Sequence, residues 1–95
     1  MIEIKVRPDS VTVKGHAGYD VMGKDIICAG VSALFCTMVH SIKSLTTDKL
    51  DTTDEPDLKQ AVFYQPSQTT KTLIDGFYLG VCLIDREYPG YIEIK

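Results

Sequence analysis

The sequence predicts an α+β two-layer sandwich, a mostly antiparallel sheet covered by two helices, with residues 1–95 forming one domain in the order β-β-α-β-β-α-β. Three observations predict it. Several short stretches alternate apolar with polar residues, the period of half-buried strands. Two longer stretches repeat apolar residues at three- and four-residue steps, the period of amphipathic helices. A chain of 95 residues also has room for only one core.

The first strand is announced by Ile2, Ile4 and Val6 alternating with Glu3, Lys5 and Arg7. Pro8-Asp9-Ser10 is turn chemistry, and Val11 and Val13 alternate with Thr12 and Lys14, so a hairpin is expected. Residues 15–25 then read as a long connection carrying Gly15, Gly18 and Gly23. The bland reading is a long, loose connection; its length favours a functional loop, one that lets another backbone approach or moves when a substrate enters. Asp25 reads as a helix N-cap, its carboxylate accepting the N–H of Ile27 or Cys28. Ile27, Val31, Leu34, Met38, Ile42 and Leu45 form the buried stripe of the first helix. Gly30 inside it costs about 1 kcal/mol relative to alanine, which makes sense only if something passes close by.

Residues 46–56 are polar and acidic, with a short strand expected over 49–53 and a turn at Glu55-Pro56-Asp57. The acidic residues read as a solvated hairpin edge, the competing reading being a surface for a basic peptide. Residues 58–64 read as a strand that Pro66-Ser67 ends. Residues 68–88 are helical, with Leu73, Phe77, Val81, Ile84 and Tyr88 on one stripe, and Ile74, Tyr78, Leu79, Cys82 and Leu83 making the helix apolar nearly all round. A helix of that kind is either deeply buried or covered by a partner, and in so small a domain the second is favoured, so a homodimer through the second helix is expected. Pro89-Gly90 ends it, and Ile92 and Ile94 mark a last strand.

Composition narrows the function classes. Apolar residues at 44% and charged residues at 24% sit near the globular average and argue against disorder. A net charge of −3 provides no basic footprint for nucleic acid. No apolar run reaches the ~18 residues of a membrane span. Three cysteines, an odd number with no secretory leader, point to a reducing, cytoplasmic setting with free thiols.

The chemistry centres on Cys28 and His16. The start of a helix favours a thiolate through its free N–H groups and dipole, and a histidine on the preceding loop supplies a base. His40 cannot be that base: on the same helix it lies about 18 Å from Cys28 and is turned by about 120°. In the resulting mechanism His16 takes the thiol proton, Cys28 attacks a peptide carbonyl, and the backbone N–H groups of Cys28 and Ala29 hold the oxyanion. Asp25 either orients His16 or only caps the helix; the residues leave both open. The competing reading makes Cys28 a small buried hydrophobe, which also suits Cys36 and Cys82. Cys36 and His40 are four apart, but two ligands fall short of a four-ligand site, so no metal and no cofactor are expected.

Two segments carry a resemblance. G-H-A-G-Y at 15–19 with D-I-I-C-A-G-V-S-A-L at 25–34 resembles the Prp (YsxB-like) family of ribosomal-processing cysteine proteases, and E-Y-P-G-Y-I at 87–92 is similar to that family's C-terminal end. The resemblance implies a homodimeric endopeptidase of low-GC Gram-positive bacteria and their relatives. It would remove the N-terminal extension of a large-subunit ribosomal protein, number twenty-seven. It puts the family's catalytic histidine at His16, its cysteine at Cys28 and its aspartate at Asp25. It also makes residues 15–24, with Gly15, Gly18, Tyr19 and Gly23, a mobile substrate loop. The readings from other classes are a non-catalytic dimeric binding module and a redox-sensing thiol protein; a protease acting on another target, such as a phage structural protein, is a further one.

Overall fold

A computed structural model describes residues 1–15 and 22–95, with the backbone alone given for residues 22–25. Among the described residues the chain forms β1 (Ile2–Arg7), β2 (Ser10–Lys14), α1 (Met22–Leu45), β3 (Lys49–Glu55), β4 (Leu58–Tyr64), α2 (Gln68–Glu87) and β5 (Ile92–Ile94), the expected α+β order. The five strands make one sheet in the order β3-β4-β2-β1-β5. Every neighbouring pair is antiparallel except β1 with β5, which run parallel with Ile2 opposite Ile92. Backbone bonds from Ile2 N–H to the Tyr91 carbonyl and from Lys95 N–H to the Ile4 carbonyl close that edge.

Alternation decides which sheet face is covered. Ile2, Ile4, Val11, Val13, Ala61 and Phe63 turn inward and are buried, and both helices pack against that face in one apolar cluster. From α1 the cluster takes Ile27, Val31, Phe35, Met38, Val39 and Ile42, and from α2 Ile74, Phe77 and Val81. Phe35 and Phe77 meet edge to face with ring centroids 6.2 Å apart, a favoured aromatic geometry. The two helices also interlock through reciprocal glycines. A Cβ on Gly30 would stand 3.2 Å from Ile84 Cδ1, and one on Gly80 would stand 2.9 Å from both Leu34 Cδ atoms. The close neighbour that the cost of Gly30 demanded is therefore Ile84.

Asp48 joins the α1–β3 connection to the start of α2. Its carboxylate accepts from the Ser67 N–H at 2.8 Å, the Ser67 hydroxyl at 2.7 Å and the buried Thr70 hydroxyl. Those donors, that of Thr70 foremost, hold its carboxyl below the usual aspartate range. Ser67 in turn caps α2, its hydroxyl accepting the Thr70 N–H.

Several expectations are corrected. α1 begins at Met22, not at Asp25, so Asp25 lies in the first helical turn and is not the N-cap, and Gly23 belongs to the helix and not to the loop. β3 runs on to Glu55, because its register with β4 continues to Glu55 opposite Leu58. On α2 the buried stripe is Thr70, Ile74, Phe77 and Val81, with Leu73 and Ile84 at its margin and Tyr88, the C-cap, exposed. Leu45, the last residue of α1, is 68% exposed and not part of the core. The segment Ile26–Leu45 is, by length and composition, apolar enough to cross a membrane, contrary to the expectation that no apolar run is that long. Its core-facing side is the one that packs on the sheet, and its other side carries the exposed His40, Lys43 and Ser44.

Candidate active site

Cys28 is the seventh residue of α1 and half-buried, packed against the margin of the core. A cleft of about 100 Å³ opens beside it. Its walls come from distant parts of the chain: Ile2 of β1, Val13 of β2, Val31 of α1 and the Pro56-Asp57 turn between β3 and β4. Gly15 lines the same cleft at the end of β2.

Gly15 is held there by local geometry that only glycine tolerates. Its φ is +82°, and a Cβ would stand 2.9 Å from the Met1 carbonyl oxygen. Its N–H donates to the Asp57 carbonyl at 2.8 Å, which ties the end of β2 to the tip of the β3–β4 hairpin. Lys59, on the cleft rim, is paired with Asp54 at 2.8 Å.

Each expected site residue can be placed against this frame. Cys28 and Gly15 come together on one cleft. His16, Gly18 and Tyr19 lie outside the described residues, as does the side chain of Asp25. The oxyanion assignment to the N–H groups of Cys28 and Ala29 is corrected by the helix start. Only the N–H groups at the very start of a helix lack an intrahelical acceptor, and with α1 starting at Met22 those precede Asp25. The N–H groups of Cys28 and Ala29 fall inside the i→i−4 ladder. For the same reason Cys28 stands in the second turn, beyond the reach of most of the helix-terminal field.

His40 and Cys36 are exposed on α1, away from the cleft. Among the described residues no three His, Cys, Asp or Glu side chains gather as a metal site would require. Sequence reasoning missed the cleft's far walls. Pro56-Asp57 reads as an ordinary turn, and nothing local marks Ile2 and Val13 as anything but strand core.

Comparison with known proteins follows the same lines. Residues 1–93 match the family model described as cysteine protease Prp. The fold superposes on the crystal structure of the essential ribosomal processing protease Prp from S. aureus in complex with a substrate peptide, with a TM-score of 0.85 and 22% identity, covering 99% of this chain and 95% of that one. A second S. aureus Prp structure, with a covalently linked product peptide, gives a TM-score of 0.84 and 23% identity over the same shares. SMU.848 from Streptococcus mutans is similar at a TM-score of 0.75 and 25% identity, covering 99% of this chain and 90% of that one. No curated protein matches the sequence. A match running nearly from end to end decides the family: the chain belongs to the Prp cysteine proteases.

Proposed function

We propose that this protease removes the N-terminal extension of a bacterial large-subunit ribosomal protein, number twenty-seven, with Cys28 as nucleophile and His16 as its base. One observation carries the dyad: Gly15, the residue covalently ahead of His16, and Cys28 line one cleft. The substrate reading is supported by the S. aureus relative, a ribosomal processing protease seen with a substrate peptide.

The chemistry balances with these two side chains and water. His16 accepts the proton of Cys28, and the thiolate adds to the scissile carbonyl. Collapse of the tetrahedral intermediate breaks the C–N bond as His16 protonates the departing amine, leaving a thioester on Cys28. His16 then takes a proton from water, the hydroxide cleaves the thioester, and the carboxylate product and the Cys28 thiol are released. Three free thiols suit a reducing, cytoplasmic setting for this cycle.

A homodimer through α2 is part of the proposal. Leu79 and Leu83 lie one turn apart on α2 and are 62% and 56% exposed, and Tyr78 beside them is exposed as well. Such adjacent apolar side chains on a small domain call for a cover. Sedimentation of the wild type as a dimer, and of Leu79→Glu/Leu83→Glu as a monomer, is expected; a wild-type monomer at micromolar concentration contradicts it.

The substrate is tested by incubating the full chain with the ribosomal protein bearing its extension and measuring the products by mass spectrometry. Release of one N-terminal peptide by the wild type and none by Cys28→Ser is expected. An intact ribosomal protein beside a Cys28 that alkylates rapidly would mean that the substrate is a different protein.

A further inference from the structure

A single backbone bond ties the middle of the chain to the cleft, and it falls immediately ahead of His16. β2 pairs with β4 as far as Lys14 opposite Leu58. The bond from the Gly15 N–H to the Asp57 carbonyl, at 2.8 Å, carries that ladder one residue beyond the strand. On the other flank of β2 the Met1 carbonyl oxygen packs close, 2.9 Å from where a Cβ on Gly15 would stand. Gly15 is therefore held from both sides where the chain leaves the sheet.

The acceptor is itself fixed. Glu55 and Leu58 pair across β3 and β4, which leaves Pro56 and Asp57 as a two-residue loop. The proline ring sets φ at the first loop position. Pro56 and Asp57 line the same cleft as Cys28 and Gly15. The bearing on catalysis is geometric. A base must come within about 2.6–3.2 Å of the proton it removes, and a misplacement of about 1 Å can cost about 100-fold in rate. Gly15 is covalently joined to His16, so the peptide that Asp57 holds sets where the base starts from. We propose that the Pro56-Asp57 turn is the positioning element of the dyad: its backbone, through Gly15, sets the place of His16 relative to Cys28. The inference rests on His16 serving as the base of Cys28. Pro56 and Asp57 are positioning residues, acting through His16 and not on the substrate.

The test reads the alkylation of Cys28 by iodoacetamide, since the thiolate is the reacting form, with the exposed Cys36 of the same molecule as internal reference. Pro56→Gly and Asp57→Gly free the turn while leaving Cys28, His16 and Gly15 in the chain. A semisynthetic full chain, ligated at Cys28 and carrying glycolic acid in place of Gly15, removes the N–H donor and no side chain; it decides if either turn variant folds poorly. The net worth of one hydrogen bond corresponds to about 2–10-fold, and the ratio of Cys28 to Cys36 modification is expected to fall by about that factor. Peptide cleavage is expected to lose kcat by a similar factor with KM little changed. In the His16→Ala background the same changes are expected to leave the ratio where it stands. A ratio that neither the turn variants nor the ester moves in the chain with His16 overturns the proposal while the dyad stands. So does an equal fall with and without His16, which marks a general disturbance of the cleft. If His16→Ala alone does not lower the ratio, the dyad fails and the inference falls with it.

Discussion

Replacing Gly15 by alanine tests the geometry that brings the end of β2 to the cleft, and Gly90 provides its control. Both glycines have positive φ, +82° and +97°. They differ in their surroundings: a Cβ on Gly90 would meet nothing within 4 Å, whereas one on Gly15 would stand 2.9 Å from the Met1 carbonyl oxygen. Left-handed backbone costs a non-glycine residue about 1–2 kcal/mol. Reducing the freedom of the unfolded chain returns about 0.4–1 kcal/mol. Gly90→Ala should therefore destabilise by no more than about 1.5 kcal/mol. At Gly15 the obstructing atom belongs to the backbone and cannot rotate away, so either β1 or the Gly15 peptide must shift. A shift of that peptide also weakens its N–H bond to Asp57, worth about 0.5–1.5 kcal/mol net. Gly15→Ala should then cost roughly 2–3 kcal/mol. In a domain of this size 1 kcal/mol moves Tm by about 4–8 °C. Thermal unfolding followed by circular dichroism should place Gly15→Ala about 5–15 °C below Gly90→Ala. If the two variants melt together, the contact with Met1 is not what reserves position 15 for glycine, and the tie between β2 and the hairpin tip loses its support.

Three further outcomes follow from the packing and the charge network. Phe77→Ala empties a site that is 2% exposed and removes the ring facing Phe35; a loss of about 3–5 kcal/mol is expected by urea titration. Gly80→Ala should be nearly neutral in the wild type, because the added methyl meets the Leu34 side chain as helix propensity improves. In a Leu34→Ala background the same change should stabilise by about 1 kcal/mol, and a double-mutant cycle that shows additivity argues against the interlock. Asp48→Asn should destabilise at neutral pH. The folded-state pKa of Asp48 lies below its unfolded value, so its contribution is present above the unfolded pKa and is lost as pH falls through the folded one. The Tm difference between wild type and Asp48→Asn should shrink steadily from pH 7 toward pH 3, and a constant difference contradicts the network.

The fold was legible wherever burial has a period. Ile2 to Val6, Val11 to Val13 and the α1 and α2 stripes announce themselves because one face of each element is dry. What the period does not carry was lost. The parallel docking of β5 on β1 depends on where α2 delivers the chain, not on the composition of Ile92 and Ile94. The start of α1 was misplaced because Asp25 has the chemistry of a cap, while Met22 and Gly23 carry no start signal. The interlock of Gly30 with Ile84 and Gly80 with Leu34 needs the relative position of two helices, although the cost of Gly30 hinted at a neighbour. At the site, Cys28 was legible from its place in the motif, whereas the Pro56-Asp57 wall reaches it only through the folded hairpin.

The central claim is that Cys28 is chemically distinct from the other two thiols, and competitive alkylation measures this directly. Cys36 is exposed, while Cys28 and Cys82 are only partly accessible, so access alone ranks Cys36 first. With substoichiometric iodoacetamide at neutral pH and peptide mapping, Cys28 is predicted to be modified ahead of Cys36, and His16→Ala is predicted to abolish that lead. Modification of Cys36 first, with a Cys28 rate indifferent to His16, would contradict the dyad.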